Sequence, residues 1–212
     1  MKGLLLKNSY SLLRKNEMFI LILLVMNAVF MTVLSDYSFM AVFTMFFAAV
    51  LVLDQIADER KKGYNEYEKI LPVSIKDIVF SRYIFAFGFM TAAAATSFLA
   101  TVFISYMFDY PCDYLAFGIK SLIFAGLAFL IVCIVLPFYY VLDTRIIRII
   151  NILIVAIPTV VNYFISKAGT PFIIIETSPF IIIAGILGAS VITFFSMLLS
   201  IHFLKPQDAD NT

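Results

Sequence analysis

The sequence predicts an all-α integral membrane protein with six transmembrane helices, preceded by a helix that lies in the membrane interface. Of its 212 residues, 63% are hydrophobic and only 14% are charged, whereas soluble domains have roughly 45–50% apolar and about 25% charged residues. The apolar residues also form runs of the length that a membrane-spanning helix needs, about 20 residues. We therefore interpret residues 1–212 as a single transmembrane domain with a cytoplasmic helix between spans two and three.

The first predicted element is an interfacial helix within residues 1–15. Leucines are set against Lys, Asn, Ser and Arg there in the pattern of an amphipathic helix, which suits the plane of the membrane interface. A cleaved signal peptide is disfavoured, because the next apolar run is long and leads to Val-Leu-Ser-Asp-Tyr-Ser rather than to a small-residue cleavage site.

Six apolar runs follow in order. The candidate spans are Met18–Leu34, Phe39–Ile56, Tyr83–Phe108, Leu115–Leu142, Ile146–Ile165 and Pro179–Leu204. With both termini inside, thirteen of the fifteen Lys and Arg residues fall on the inner side, and only Lys120 and Lys167 fall outside. Cytoplasmic loops carry such an excess, so six spans with both termini in the cytoplasm are predicted. The link Ser166–Ser178 is interpreted as a re-entrant or outer-surface helix, with a loop pressed on the membrane as the alternative.

The one long polar stretch runs from Asp54 to Arg82, and its residues 57–82 are predicted to form a cytoplasmic coupling segment. Apolar residues recur within it at helical spacing, which places them on one face of a short amphipathic helix. These residues are Tyr64, Tyr67, Ile70 and Leu71. The pattern predicts a helix with one side free to contact a partner.

Pro72 ends that short helix, because proline lacks an amide proton and cannot continue the hydrogen-bond ladder. Ser74 is a good N-cap with Asp77 three residues later, which predicts a new helix from Ile75 into the third span. Two helices connected in this way can transmit movement from a cytoplasmic partner to the membrane-spanning helix. The alternative is a solvated loop whose tyrosines lie at the lipid headgroups.

Small residues recur at every fourth position in the third and sixth spans, a pattern that allows close contact between helices. The predicted positions of helix packing or of a dimer interface are Ala92, Thr96, Ala100, Gly185 and Gly188. Neutral Ser, Thr and Asn residues within the spans are interpreted as packing contacts of the same kind.

Several functional classes are disfavoured. The spans are almost free of ionisable residues, which argues against a carrier driven by an ion gradient. His202 is the single histidine, so zinc binding and histidine-based catalysis are not expected. The chain has no P-loop pattern for ATP and no basic run typical of nucleic-acid binding. Cys112 and Cys133 are predicted at different membrane depths and are not expected to pair.

The polar stretch resembles a known family. The matching run is Asp54…Asp58-Glu59, Gly63-Tyr64, Tyr67, Leu71-Pro72-Val73-Ser74, Asp77-Ile78-Val79 and Ser81-Arg82-Tyr83. Together with the six-span pattern, it resembles the small permeases of type-two ABC exporters, some of which export phenol-soluble modulins or are tied to bacteriocin or drug resistance. Tyr64 stands where that family often has Trp, and Arg82 where it often has Lys.

The resemblance implies a permease subunit, not itself an enzyme, of an ATP-driven exporter in a bacterial plasma membrane. Two permease chains, identical or sister, would pair in the lipid, and separate P-loop ATPase subunits holding ATP and Mg²⁺ would dock beneath them. Asn65–Leu71 would be the coupling helix seated on the ATPase, supported by Leu4–Arg14. The cargo would be amphipathic or hydrophobic, such as a peptide. The competing hypothesis is a non-transporting membrane assembly, immunity or sensor subunit.

Overall fold

The computed structural model describes Lys7, Tyr10 and residues 37–63, 74–108, 113–167 and 179–204. Every regular element in this part of the chain is helical. The elements are α1 (Tyr37–Lys61), α2 (Ile75–Phe108), α3 (Tyr114–Val135), a 3-10 helix (Leu136–Tyr140), α4 (Thr144–Lys167) and α5 (Pro179–Leu204). The predicted all-α class is confirmed for these residues.

Five of the described helices are long and apolar enough to cross a membrane. They correspond to predicted spans two to six, which confirms a multi-pass membrane protein. The first predicted span, Met18–Leu34, lies outside the described residues. So do most of the link Ser166–Ser178 and all of the interfacial helix except Lys7 and Tyr10. The first span, and with it the total of six, therefore stays a prediction.

α1 is the central helix of the described bundle. It packs against α2, α3, α4 and the 3-10 helix, and 72% of its most apolar stretch is buried, compared with 17% for α5. Ala41, Ala48 and Ala49 are among its buried residues, and such small side chains let neighbouring helix backbones approach closely. The peripheral helices α4 and α5 are left with wide apolar surfaces, as expected of helices that face lipid.

α2 is the longest element, with 34 residues from Ile75 to Phe108. At 1.5 Å per residue this is about 51 Å, whereas the hydrocarbon core of a bilayer is about 30 Å thick. The helix therefore extends well beyond the apolar layer. Its continuity from Ile75 confirms the predicted start of the third span's helix.

Aromatic rings hold α2 against α3. Phe98 stacks on Phe117 with ring centroids 6.3 Å apart, and Phe87 meets Phe129 edge-on at 5.5 Å. Gly118 lies beside the first contact, where an added Cβ would be in ordinary van der Waals contact with the Phe98 ring at 3.4 Å. Each such ring pair contributes about 0.5–1.5 kcal/mol beyond the burial of its area.

The predicted span Leu115–Leu142 is not one continuous α-helix. α-Helical bonding ends at Val135, and the chain tightens into the 3-10 helix with Pro137 in its first turn. Proline removes one backbone donor and crowds the preceding turn, which explains the change of helix type. Pro158, by contrast, lies inside α4 without ending it. A 3-10 stretch inside a long helical run often marks a hinge.

Candidate functional site

The predicted coupling segment is described only at its two ends. Five of its predicted contact residues lie outside the described residues: Tyr64, Tyr67, Ile70, Leu71 and Pro72. Their role stays a prediction. The ends of this segment are helical, because α1 continues to Lys61 and α2 begins at Ile75, where the sequence predicts a new helix. Much of the polar stretch is therefore helical extension of two spans. The coupling role of residues 57–82 stays a prediction.

Ser74 caps the start of α2, as predicted. The backbone N–H of Asp77 donates to Ser74 Oγ at 3.1 Å, and Ser74 Oγ donates to Asp77 Oδ2 at 2.7 Å. The cap satisfies one of the amide donors that every helix leaves open at its N-terminus. On the other flank, Gly63 follows α1 with a φ of 69°, a left-handed conformation that glycine adopts without steric cost.

One buried ion pair joins the two flanks. Glu59 Oε2, near the end of α1, lies 3.6 Å from Nη2 of Arg82, early in α2, and the two side chains are 8% and 2% exposed. The sequence had placed both residues in a water-facing segment, so their burial corrects that expectation. A buried charge without a partner is costly, and each of these groups therefore depends on its partners.

Two further groups reach the other carboxylate oxygen of Glu59. Lys7 Nζ lies 3.3 Å from Oε1, and Gln55 Nε2 donates to the same oxygen at 3.4 Å. Lys7 belongs to the N-terminal segment, whereas Gln55 lies one turn before Glu59 on α1. One carboxylate thus joins three parts of the chain.

Arg82 also bonds to the 3-10 helix through Tyr140. Its Nη1 donates to the Tyr140 hydroxyl at 2.8 Å, and its guanidinium carbon lies 5.3 Å from the ring centroid, within the range of a cation–π contact. We call Lys7, Gln55, Glu59, Arg82 and Tyr140 the polar cluster. It connects the N-terminal segment, α1, α2 and the 3-10 helix.

Arg60 makes a separate link from α1 to the 3-10 helix. Its Nη1 donates to the carbonyl oxygens of Tyr139 and Leu142 at 2.9 and 2.6 Å. Carbonyls at a helix C-terminus lack intrahelical donors, and a cation there also complements the helix dipole. Tyr139 in turn donates its hydroxyl proton to the side chain of Asn151 on α4. The chain of contacts therefore runs from α1 to α4.

Tyr83 connects α2 to α5. Its hydroxyl lies 2.6 Å from Ser196 Oγ and 3.0 Å from Ser200 Oγ, and Ser196 Oγ donates to the carbonyl of Cys133 in α3. Hydrogen bonds between membrane helices contribute about 0.6 kcal/mol on average. Arg82 and Tyr83 together join α2 to α1, to the 3-10 helix and to α5.

The site contains no arrangement typical of metal or proton chemistry in the part of the chain that the structure describes. No group of three or more His, Cys, Asp and Glu there could hold a metal ion. The buried charged residues of that part are Glu59, near the end of α1, and Arg82, in the third turn of α2.

Comparison with known families decides the class of protein. A family model described as ABC-2 family transporter protein matches residues 3–205, nearly the whole chain. The chain belongs to the ABC-2 transporter family. Membrane subunits of ABC-2 transporters typically lack ATPase activity and work with separate ATPase subunits. The resemblance to ABC permeases is thereby confirmed. No curated protein and no solved structure matches this permease.

The small residues predicted to pack do not share one environment in the permease. Ala92 and Thr96 lie on an exposed face of α2, and Ala100 is half-buried. Gly188 is exposed on α5, and a Cβ added there would meet no other group within 4 Å. The surroundings of Gly185 lie outside the description. Close packing at these positions stays a prediction, now for a contact with another helix or another chain.

Most of the predicted contact residues lie in the middle of the coupling segment, whereas the buried charged contact lies at its ends, between Glu59 and Arg82. Glu59 and Arg82 entered the prediction through the run that resembles the exporter permeases, and neither their contact nor the bond to Tyr140 was predicted. One signal was available, because a charge that borders an apolar run must reach the headgroups or find a partner. Which partner it finds depends on the register between α1 and α2.

Proposed function

We propose that this ABC-2 permease is the membrane subunit of an ATP-driven exporter, and that residues 64–73 contact a cytoplasmic P-loop ATPase. The observation that carries the proposal is the polar cluster. Glu59 and Arg82 are buried at the two helix ends that bracket this segment. Buried charges in membrane proteins are costly and most often mark function. Here they bracket the segment on which a partner would act.

The contacts around the cluster offer a route from the segment into the spans. The Glu59–Arg82 pair joins α1 to α2, and Arg60 joins α1 to the carbonyls at the end of the 3-10 helix. The bond from Tyr139 to Asn151 continues to α4. A displacement of either flank would be shared by these helices, which suits a subunit that receives its motion from a separate ATPase.

We propose that the permease lies in the plasma membrane and that the polar cluster is on its cytoplasmic side. Five exposed cations lie at that end of the described helices: Lys61, Lys62, Lys76, Arg145 and Arg148. Lys120, in contrast, follows the start of α3 at the opposite end. An excess of Lys and Arg marks the cytoplasmic side. ATP and Mg²⁺ would be held there by the ATPase.

We further propose an amphipathic or hydrophobic cargo, such as a peptide, and a second permease chain, identical or sister. In support of such a cargo, the buried polar residues of the described helices are neutral apart from Glu59 and Arg82, for example Ser97, Thr101 and Asn162. In support of a second chain, Ala92 and Thr96 form an exposed face of α2 on which the side chains are short. Small residues at this spacing favour close approach of another helix.

The proposal is tested first by purification. The tagged permease, expressed at its native level, is isolated from its own membranes and assayed for bound ATPase activity. We expect a P-loop ATPase to co-purify in stoichiometric amount and its hydrolysis rate to rise in the complex. An intact permease that carries no ATPase would contradict the proposal.

Substitutions in the segment test the contact itself. Tyr67→Ala or Leu71→Asp should lower the stimulation of the ATPase about tenfold, which corresponds to ~1.4 kcal/mol of lost contact energy. The matched control is Tyr106→Ala, a tyrosine 80% exposed at the other end of α2, which should leave stimulation unchanged. Equal stimulation in all three variants would exclude residues 64–73 as the contact.

A further inference from the structure

We infer that Glu59 is a positioning residue for coupling: its carboxylate, shared between Arg82 and Lys7, holds the two flanks of residues 64–73 at a fixed separation during the ATPase cycle. The inference rests on the proposed function, because it assigns a role within that coupling. It adds a requirement that the flanks move as one body rather than hinge independently.

The geometry allows both cations to bind at once. Arg82 Nη2 lies 3.6 Å from Oε2 of Glu59, and Lys7 Nζ lies 3.3 Å from Oε1. Each cation faces its own oxygen, so neither needs to leave for the other to bind. The carboxylate therefore joins three parts of the chain that lie far apart in sequence.

The two arms differ in exposure. Arg82 is 2% exposed and Lys7 is 22% exposed, while Glu59 is 8% exposed. Charges attract more strongly where water is excluded, and water screens the more open contact. The Glu59–Arg82 ion pair is accordingly the more rigid of the two. The Glu59–Lys7 ion pair can break and re-form without unfolding the helix bundle.

Arg82 is itself held from a second side. Its bond to the Tyr140 hydroxyl is 2.8 Å long, and the guanidinium also lies over the Tyr140 ring. A guanidinium fixed by two partners has less freedom to follow a moving carboxylate. Motion of α1 relative to α2 would therefore strain the pair, which keeps the flanks together.

The neighbouring carboxylate provides a matched control. Asp58 pairs with Lys61 at 3.9 Å, three residues later on the same helix, and its side chain is 26% exposed. That ion pair lies within α1. Asp58→Asn removes the same charge as Glu59→Gln, one position away.

The test measures the separation of the flanks in the working complex. The full-length permease is reconstituted with its ATPase in nanodiscs, with nitroxide labels on cysteines introduced by Lys62→Cys and Lys76→Cys. Both positions are exposed, one on each flank, and Cys112 and Cys133 are replaced by Ser and Ala. Labelled chains are diluted with unlabelled ones, and the distance distribution is recorded without nucleotide and with ATP plus orthovanadate.

In the chain with Glu59 intact, one narrow distribution should persist in both states. Glu59→Gln should broaden it and lower the stimulated ATPase rate about tenfold, since a buried charge pair loses one partner. Asp58→Asn should change neither quantity. A purely structural role would lower the melting temperature of Glu59→Gln and leave the label separation of the folded fraction narrow.

A second variant keeps the inference falsifiable if Glu59→Gln does not fold. Lys7→Gln removes the more open arm, so the bundle should remain folded while the distribution broadens to a smaller extent. A narrow distribution and a parental ATPase rate in every folded variant of Glu59 and Lys7 would overturn the inference. A parent chain that binds no ATPase at all would instead count against the proposed function.

Discussion

The two ends of α2 are held by different kinds of interaction. Near its start, Arg82 is buried and lies 3.6 Å from the carboxylate of Glu59. Near its other end, Ser105 Oγ lies 3.1 Å from the hydroxyl of Tyr114, a neutral hydrogen bond. A buried charge pair is strong only while every partner is present, whereas a neutral bond tolerates the loss of one partner better. The more demanding interaction lies beside the segment that we assign to the ATPase.

Arg82→Ala should have the largest effect of any substitution at the two ends. It leaves the Glu59 carboxylate buried without its least exposed partner, a loss of about 3–5 kcal/mol. The melting temperature of the purified permease should fall by about 10 °C. Lys76→Ala, on an exposed position of the same helix, is the control and should melt like the parent. Equal melting temperatures of the two variants would show that the Glu59–Arg82 pair does not stabilise the permease.

Arg60→Ala should rank second. The carbonyls of Tyr139 and Leu142 lose a charged donor at 2.9 and 2.6 Å, which is worth about 2 kcal/mol for a part-buried group. Unfolding in a titration with sodium dodecyl sulfate should start at lower detergent fraction. Lys61→Ala, with a side chain 39% exposed one position later, should unfold with the parent. If Lys61→Ala unfolded at a lower detergent fraction than Arg60→Ala, the stabilising role of the Arg60 bonds to the two carbonyls would be contradicted.

Ser74→Ala should act locally. It removes the N-cap of α2, a change worth about 1 kcal/mol, and amide hydrogen exchange should become faster at Asp77, whose N–H donates to Ser74. Ser74→Asp keeps an acceptor at the cap and should retain slow exchange. Equally fast exchange in both variants would show that the side chain at this position does not hold the helix start.

Ser105→Ala should have the smallest effect. One neutral bond between membrane helices contributes about 0.6 kcal/mol, so the melting temperature should stay within about 2 °C of the parent. Tyr114→Phe removes the other half of the same bond and should match it. A loss as large as that of Arg82→Ala would abolish the contrast between the ends.

The sequence predicted best where a local rule applies. Ser74 and Asp77 predicted the start of α2, because the capping pattern depends only on two residues three positions apart in the sequence. The predicted end of the short helix at Pro72 rests on a rule of the same kind, since proline acts on its own turn, but Pro72 lies outside the described residues. Ser196 was expected to make a packing contact and does bond across helices, to Tyr83.

Prediction failed where the answer depends on how two helices are aligned. Glu59 and Arg82 belong to one polar stretch, yet their contact requires that the end of α1 and the third turn of α2 lie at the same depth. Ala92 and Thr96 depend on arrangement in the same way: their spacing suits close packing, they lie on an exposed face of the described bundle, and their packing partner stays a prediction. Spacing shows which residues share a face, and only the tertiary arrangement shows what covers it.

The length of α2 has a consequence for amplitude. Arg82 lies about 10 Å along the helix from Ile75 and about 39 Å from Phe108, at 1.5 Å per residue. If α2 rotates as a rigid rod about Arg82, a 1 Å displacement at Ile75 becomes a displacement of about 4 Å at Phe108. A small stroke delivered on one side of the bilayer would thereby be magnified on the other.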